Sequence, residues 1–259
     1  MKILVNFATA NFQKAQQFNA KTALNVGGFD RTVSANPDLI DEDFKHKYSS
    51  ILNQARGAGY WLWKPYFILK TLEQAKDGDI IMYADSASHF IASAAPLFSL
   101  PEQFEQDVIP FELELPESAW TKRDAFVLLD AVEDGFQSTP QRLASFILLR
   151  KSAMSMQFCQ DYLRYCANEN ALTDLDNICG KPNYDDLVAH RHDQSIFSLL
   201  SKKYGLQAFR DPSQWGNSRK DLYPNSNYPQ IIEHTRQKDP KQAKLSYKIK
   251  RFFFPKKQR

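Results

Sequence analysis

Residues 2–8, Lys-Ile-Leu-Val-Asn-Phe-Ala, form an apolar run without the in–out alternation of a strand that has one wet face. Such a run predicts a strand buried on both sides, as in parallel sheets covered by helices above and below. A second run of this kind, residues 79–84 (DIIMYA), follows a helical pattern over residues 65–76 and the break Asp77-Gly78. Pro65 suits a first helical turn, where its missing N–H costs nothing. Residues 64–84 therefore read as helix, turn and strand, the repeating unit of an α/β protein.

The other expected elements are less evenly marked. Residues 9–48 are mostly polar, with loop signals at Gly27-Gly28 and Asn36-Pro37. A helix is expected from near Asp41 to just before Gly57. Residues 85–121 hold four prolines and read as loops and short elements beside a site. After a short helix over 123–130 comes a buried strand over 143–149 (LASFILL). An amphipathic helix over 152–168, a helix over 192–203 and a short strand over 206–209 complete the set. Residues 211–229, rich in Asn, Ser, Pro and aromatics, have the composition of a binding loop.

At 259 residues, 43% hydrophobic and 24% charged, the chain has the size and balance of one large globular domain, which excludes wholesale disorder and a coiled coil. No stretch approaches the roughly 20 apolar residues of a membrane-spanning helix. MKILVNFATA is too short and strand-like for a signal peptide. Cys159, Cys166 and Cys179 form neither a paired framework nor a metal motif, so a reduced, cytoplasmic compartment is expected. Cys159 and Cys166 fall on the apolar face of their helix and read as core. A glycine fingerprint for a dinucleotide should follow the first strand, yet Asn6-Phe7-Ala8-Thr9-Ala10 has no glycine, which argues against a Rossmann-like enzyme.

The net charge of +3 hides an asymmetry. Residues 240–259 hold eight Lys and Arg and no acid, leaving 25 basic against 30 acidic residues, −5, in residues 1–239. An acidic body disfavours nucleic acid as a partner, and a basic tail points to an anionic surface. The expected organisation is therefore one domain over 1–239 and a basic, aromatic tail over 240–259. The tail interleaves its charges with Tyr247, Ile249 and Phe252-Phe253-Phe254, a pattern suited to the cytoplasmic face of an anionic membrane.

Three segments carry the candidate chemistry: Arg56-Gly57-Ala58-Gly59-Tyr60-Trp61-Leu62-Trp63-Lys64-Pro65, Tyr83-Ala84-Asp85-Ser86-Ala87 and His192-Asp193-Gln194-Ser195-Ile196-Phe197. Asp85 stands directly after a buried strand, at the carboxyl end where open α/β sheets place ligands. Lys64 precedes a helix whose free N–H groups suit phosphate, and Tyr60, Trp61 and Trp63 offer faces to a base or a sugar. One of Trp61 and Trp63 is expected to be a core anchor for the helix that follows. Asp193 also reads simply as a helix-start residue favoured by the helix dipole.

Together, in this order, the three segments resemble bacterial GT-A glycosyltransferases that build capsular polysaccharide and lipopolysaccharide, over most of the chain up to His234. The resemblance implies an α/β fold with a central, mostly parallel sheet flanked by helices. It implies a nucleotide-sugar donor and a glycan or lipid-linked glycan acceptor. Asp85 occupies the place of the acidic DxD motif, which holds a divalent cation on the diphosphate; the third position here is Ala87, so Mn²⁺ or Mg²⁺ would find a single carboxylate. Asp193-Gln194 resembles the active-site Asp-Gln of glycogenin-like retaining enzymes. Asp193 would orient the acceptor hydroxyl or act as base, and Gln194 would stand near the donor's reacting face; a lone carboxylate fits an inverting and a retaining course alike. Glycogenin-like enzymes take a C-terminal His as metal ligand, for which His234 is the candidate, with Arg236 near the diphosphate. Either is equally well a surface residue, as is Arg123 in Lys122-Arg123-Asp124, a second candidate donor contact. The expected activity is hexosyl transfer to a surface glycan at the inner membrane face; the alternative is a non-catalytic nucleotide- or glycan-binding module that kept the fold.

Overall fold

The computed structural model describes residues 1–133 and 135–239, so the tail lies outside the described residues. Six strands form the central sheet in the order β2-β1-β3-β6-β5-β7, and two more, β4-β8, make a small ribbon. Their ranges are Lys2–Phe7 (β1), Arg31–Ala35 (β2), Ile80–Ala84 (β3), Ser88–Phe90 (β4), Val108–Pro116 (β5), Pro140–Arg150 (β6), Phe209–Arg210 (β7) and Ile232–His234 (β8). β1 runs parallel to β2 and β3, and β5 runs parallel to β7; β6 opposes both of its neighbours. The sheet is mixed and mostly parallel, with helices on its faces.

The apolar runs are buried on both sides, as their lack of alternation requires. Ile3, Val5, Phe7, Ile81 and Tyr83 face one core, completed by helices Trp63–Gln74, Ala153–Cys166 and Asp193–Lys203. Leu4, Ile80, Met82 and Ala84 face the other, which is closed by Phe29, Phe90, Leu97 and Ile232. Each such side chain contributes roughly 1.5–3 kcal/mol, which fixes the register of β1 against β3. Helix Ala153–Cys166 begins at a capping box between Ser152 and Ser155 and carries Cys159 and Cys166 into the core. No helix among the described residues is long and apolar enough to cross a membrane.

Three expectations need correction. The polar segment 9–48 contains helix Gln13–Thr22 and β2. That helix buries Gln16 and Asn19 through hydrogen bonds to Ala35 O and from Asn6 Nδ2, so it shows little apolar periodicity. The helix expected over 41–56 is two short ones, Glu42–Lys47 and Ser49–Leu52. The proline-rich stretch 85–121 contributes β5, nine residues long, whose register slips beside Pro110 and again before Pro116. Proline lacks the ladder N–H and hides such a strand from a pattern reading.

Candidate functional site

A cavity of about 690 Å³ opens at the carboxyl ends of the parallel strands β1 and β3. Phe7, Ala8 and Thr9 line it where β1 ends, and Asp85, Ser86 and Ala87 line it where β3 ends. Ser86 Oγ donates to Phe7 O, tying the two strand ends together. Ala87 O accepts from the backbone N–H groups of Thr235 and Arg236, each at 3.0 Å. The β4–β8 ribbon pairs Ser88 with His234 and so brings His234 and Arg236 to the same rim.

The wall opposite is built by a left-handed turn. Gly57, Ala58, Gly59, Tyr60 and Trp61 all have positive φ, between 50° and 93°. Three of these are not glycine, and such strain costs of order 1–3 kcal/mol at each. A Cβ on Gly59 would meet the Leu52 backbone at 2.8 Å, and one on Gly57 would strike the Trp61 ring. The turn lays Trp61 on the His192 ring, while Trp63 stacks on Phe7 at 3.8 Å and donates from Nε1 to Gly57 O. Both tryptophans border the cavity, and Trp63 is also a buried core residue. Tyr60 instead points its hydroxyl to Asp174 and touches His192.

Lys64 lies beneath this wall rather than in it. Its side chain is 4% exposed, and Nζ donates to Asp193 Oδ2 at 2.5 Å and to Ala144 O at 3.2 Å. The same ammonium stands 4.0 Å from Asp85 Oδ1, which accepts a hydrogen bond from Tyr83 OH at 2.8 Å. Burial opposes the charge on Lys64, but Asp193 and Asp85 outweigh it and hold its pKa above the usual value. Asp193, 5% exposed, also accepts from Tyr162 OH at 3.3 Å, and burial raises its pKa against the pull of Lys64. Neither Lys64 nor Asp193 lines this cavity; Asp85, with 29% of its side chain exposed, does. The expected phosphate contact at Lys64 is thus an internal cation shared by two carboxylates.

His192 places this pair. Its backbone sits at φ 53°, ψ −119°, a strained conformation that turns the chain into helix Asp193–Lys203. Nδ1 bonds Leu172 O, and the buried Nε2 has no hydrogen-bond partner among the described residues. Next along, Gln194 reaches a second cavity of about 270 Å³. Gln194 Oε1 accepts from Ala144 N, and Nε2 donates to Gln141 Oε1 at 2.8 Å. Gln141 is held in turn by buried Glu117, which pairs with Lys202 at 2.5 Å. The two cavities share Ser145, His234 and Arg236 as a common wall.

Two expectations meet a different geometry. Arg123 packs over the Tyr184 ring at 4.3 Å and borders neither cavity; Lys122 and Asp124 beside it staple the segment 175–179 through Leu175 O and the N–H groups of Ile178 and Cys179. For a divalent ion, no three His, Cys, Asp or Glu side chains converge among the described residues. Asp85 and His234 share the cavity, with the His234 pKa lowered by burial against the charge of Asp85. The Lys64 ammonium already stands on the Asp85 side, so this donor set does not fit a resident Mn²⁺ or Mg²⁺.

Several lining residues had no signal of their own in the sequence. Ser145 lies mid-strand, Arg191 precedes a motif, and Arg219 and Trp215 sit within the loop whose composition marked it for binding.

No protein-family model matches the chain, and no curated protein matches it. Among solved structures, it is similar to mouse xyloside xylosyltransferase 1 in its apo form, at 10% identity and a TM-score of 0.50, over 92% of this chain and 98% of that one. It is also similar to the apo bifunctional glycosyltransferase WbbM (11%, 0.48, 91% of this chain and 46% of that one). A third is the galactosyltransferase LgtC in complex with donor and acceptor sugar analogs (14%, 0.46, 92% and 87%). The mixed sheet and flanking helices over nearly the whole chain are those of the GT-A glycosyltransferase fold.

Proposed function

We propose that this chain is a glycosyltransferase that moves a hexose from a nucleotide-sugar donor to a hydroxyl of a bacterial surface glycan, of capsule or lipopolysaccharide type. The observation that carries the reading is the pair of adjoining cavities at the strand ends, with Asp85 facing one, Gln194 facing the other, and Ser145, His234 and Arg236 between them. Two substrates that exchange a group need that arrangement. The larger cavity has the aromatic wall and volume for a nucleotide, at the crevice where open sheets take such ligands.

In this reading the donor's anomeric carbon lies at the shared wall. Its bond to the diphosphate oxygen breaks and that oxygen keeps the bonding pair, a bond to the acceptor oxygen forms, and the acceptor hydroxyl's proton passes to the departing diphosphate oxygen. Asp85 orients the donor sugar. Arg236 meets charge as it develops on the leaving diphosphate. Gln194, fixed by Gln141 and Ala144, touches the reacting sugar from the acceptor side, and Lys64 and Asp193 hold Asp85 and Gln194 in place from below. No step passes through a metal ion. The basic tail, residues 241–259, docks the enzyme on the anionic cytoplasmic face of the membrane, where a lipid-linked acceptor would reside.

A screen of nucleotide sugars for protection against thermal unfolding, with and without Mn²⁺, tests the reading, because a ligand that binds only the folded state stabilises it by mass action. One donor should raise the unfolding midpoint and release its nucleoside diphosphate when a glycan acceptor is added. Protection without any turnover would favour a binding module. No protection by any nucleotide sugar would sink the proposal.

A further inference from the structure

The second cavity carries three guanidinium groups, Arg191, Arg219 and Arg236, and three carboxyl groups, Glu112, Glu114 and Asp211. The acids are already engaged. Arg219 Nε pairs with Glu114 at 3.0 Å, and Tyr223 OH donates to Glu112 Oε1 at 2.5 Å. Asp211 is 3% exposed and accepts from Ser213 N, and burial pushes its pKa up toward the neutral form.

Arg191 and Arg236 are left over. Among the described residues neither has a carboxylate within ion-pair distance; Arg191 lies 3.8 Å over the Trp120 ring, and Arg236 lies 5.7 Å over Trp215. Stacking steadies a guanidinium plane while its edge keeps its donors for a ligand. The two charges also act on each other: after burial, Arg236 is what lowers the Arg191 pKa. Two guanidinium groups whose edges meet no carboxylate at ion-pair distance among the described residues are suited to an anion, even in a recess that also holds Glu112 and Glu114.

The two arginines belong to different sides. Arg236 stands on the wall shared with the larger cavity, where a donor diphosphate reaches it, whereas Arg191 borders only the second cavity. Trp215, 57% exposed, gives that same cavity an apolar face for a sugar ring. We infer that the second cavity takes a glycan acceptor bearing a carboxylate or phosphate, and that Arg191 is the residue that selects it. The inference rests on reading the two cavities as donor and acceptor sites.

Binding to the full chain tests it, with methyl glycosides of glucose and galactose compared against their uronates and their 6-phosphates, and with inorganic phosphate as the sugar-free anion. An anionic glycoside should bind about tenfold tighter than its neutral parent, the scale of one charge-assisted hydrogen bond. Uronate or 6-phosphate as the better ligand identifies the group. Arg191→Gln should erase the preference and Arg191→Lys should keep part of it, with the unfolding midpoint measured beside each because the Trp120 contact is also altered. The anionic glycoside and a nucleoside diphosphate should bind together.

Equal affinity for neutral and anionic glycosides overturns the inference, as does a preference that survives Arg191→Gln. Inorganic phosphate binding as well as the 6-phosphate overturns it too, since the sugar then adds nothing. Competition between the glycoside and nucleoside diphosphates would assign both arginines to the donor and overturn it as well. If no nucleoside diphosphate binds while the Arg191-dependent preference holds, the donor reading fails and the anionic subsite stands. The converse result leaves the donor reading and removes the subsite.

Discussion

Lys64 Nζ lies 2.5 Å from Asp193 Oδ2, a buried ion pair that joins two motifs 129 residues apart. The same ammonium stands 4.0 Å from Asp85 Oδ1, so one cation under the cavity floor ties together the three segments singled out in the sequence. Of the three residues, Asp85 alone has a substantially exposed side chain. The pair beneath it sets its electrostatic surroundings and anchors the start of the helix that presents Gln194.

Removing one half of this pair should cost more than removing both. Lys64→Met leaves Asp193 buried without its cation and is expected to destabilise the protein by about 3–5 kcal/mol, whereas Lys64→Met with Asp193→Leu should recover much of that loss. Denaturant unfolding of the two single variants and the double variant measures the coupling. Additive losses would show that the two charges do not depend on each other.

The titration of Asp193 should separate activity from stability. Its folded-state pKa is raised by burial, so its carboxylate takes up a proton above the ordinary aspartate range. Turnover should fall as pH drops through that value, because protonated Asp193 no longer holds Lys64. A raised carboxyl pKa favours the folded state as protons bind, so this titration costs no stability. Asp79, Asp124 and Asp161 have lowered values; the stability they contribute is lost only at lower pH, below the ordinary range. Turnover should therefore decline over a window in which the unfolding midpoint does not. Asp193→Asn removes the charge that holds Lys64 and so misplaces the groups above it, which should cut turnover by roughly 10² with donor affinity little changed. A midpoint that falls in step with turnover would refute this account.

Asp85→Ala should abolish donor binding while leaving the fold intact, since among the described residues its half-buried side chain is engaged with Tyr83 and the Lys64 ammonium. Titration of the donor identified by the protection screen, with unfolding measured alongside, checks both halves. Donor affinity should also survive a chelator, because the cation beside Asp85 is Lys64. Unchanged affinity in Asp85→Ala would remove the residue from the site.

Gln141 is a positioning residue for Gln194. Gln141→Leu takes away the acceptor of Gln194 Nε2 and should lower kcat by about tenfold, one hydrogen bond's worth, with donor affinity preserved. A rise in donor Kd with kcat unchanged would show that Gln141 serves the other cavity.

Deleting residues 241–259 should abolish sedimentation with anionic vesicles at low salt, yet leave transfer to a short soluble acceptor intact. Each Lys or Arg near such a surface contributes about 1 kcal/mol, so eight of them make binding steeply dependent on salt. Full-length protein that ignores the vesicles would end the docking proposal.

The sequence by itself determined the elements whose side chains are sorted by water. The runs at β1 and β3, the helix after Pro65 and the helix after His192 are buried continuously or at helical spacing, and that pattern is a local property. It also marked Asp85 and Lys64, which stand at a strand end and a helix start where polar groups are unpaired, whereas Gln194 was marked by the resemblance of Asp193-Gln194 to the Asp-Gln of glycogenin-like enzymes. Tertiary structure decided what those residues face. Lys64 sits in the first turn of a helix that starts before the Pro65 expected for it, and β6, antiparallel between β3 and β5, brings Ala144 O to its ammonium while the helix Asp193–Lys203 brings Asp193, which turns a surface cation into a buried one. His234 reaches Asp85 only because β8 pairs with β4, and Arg191 faces Arg236 only because the last loops fold back across the sheet ends. Long-range pairings of this kind leave no periodic trace along the chain, since the energy that fixes them comes from partners far away in the sequence.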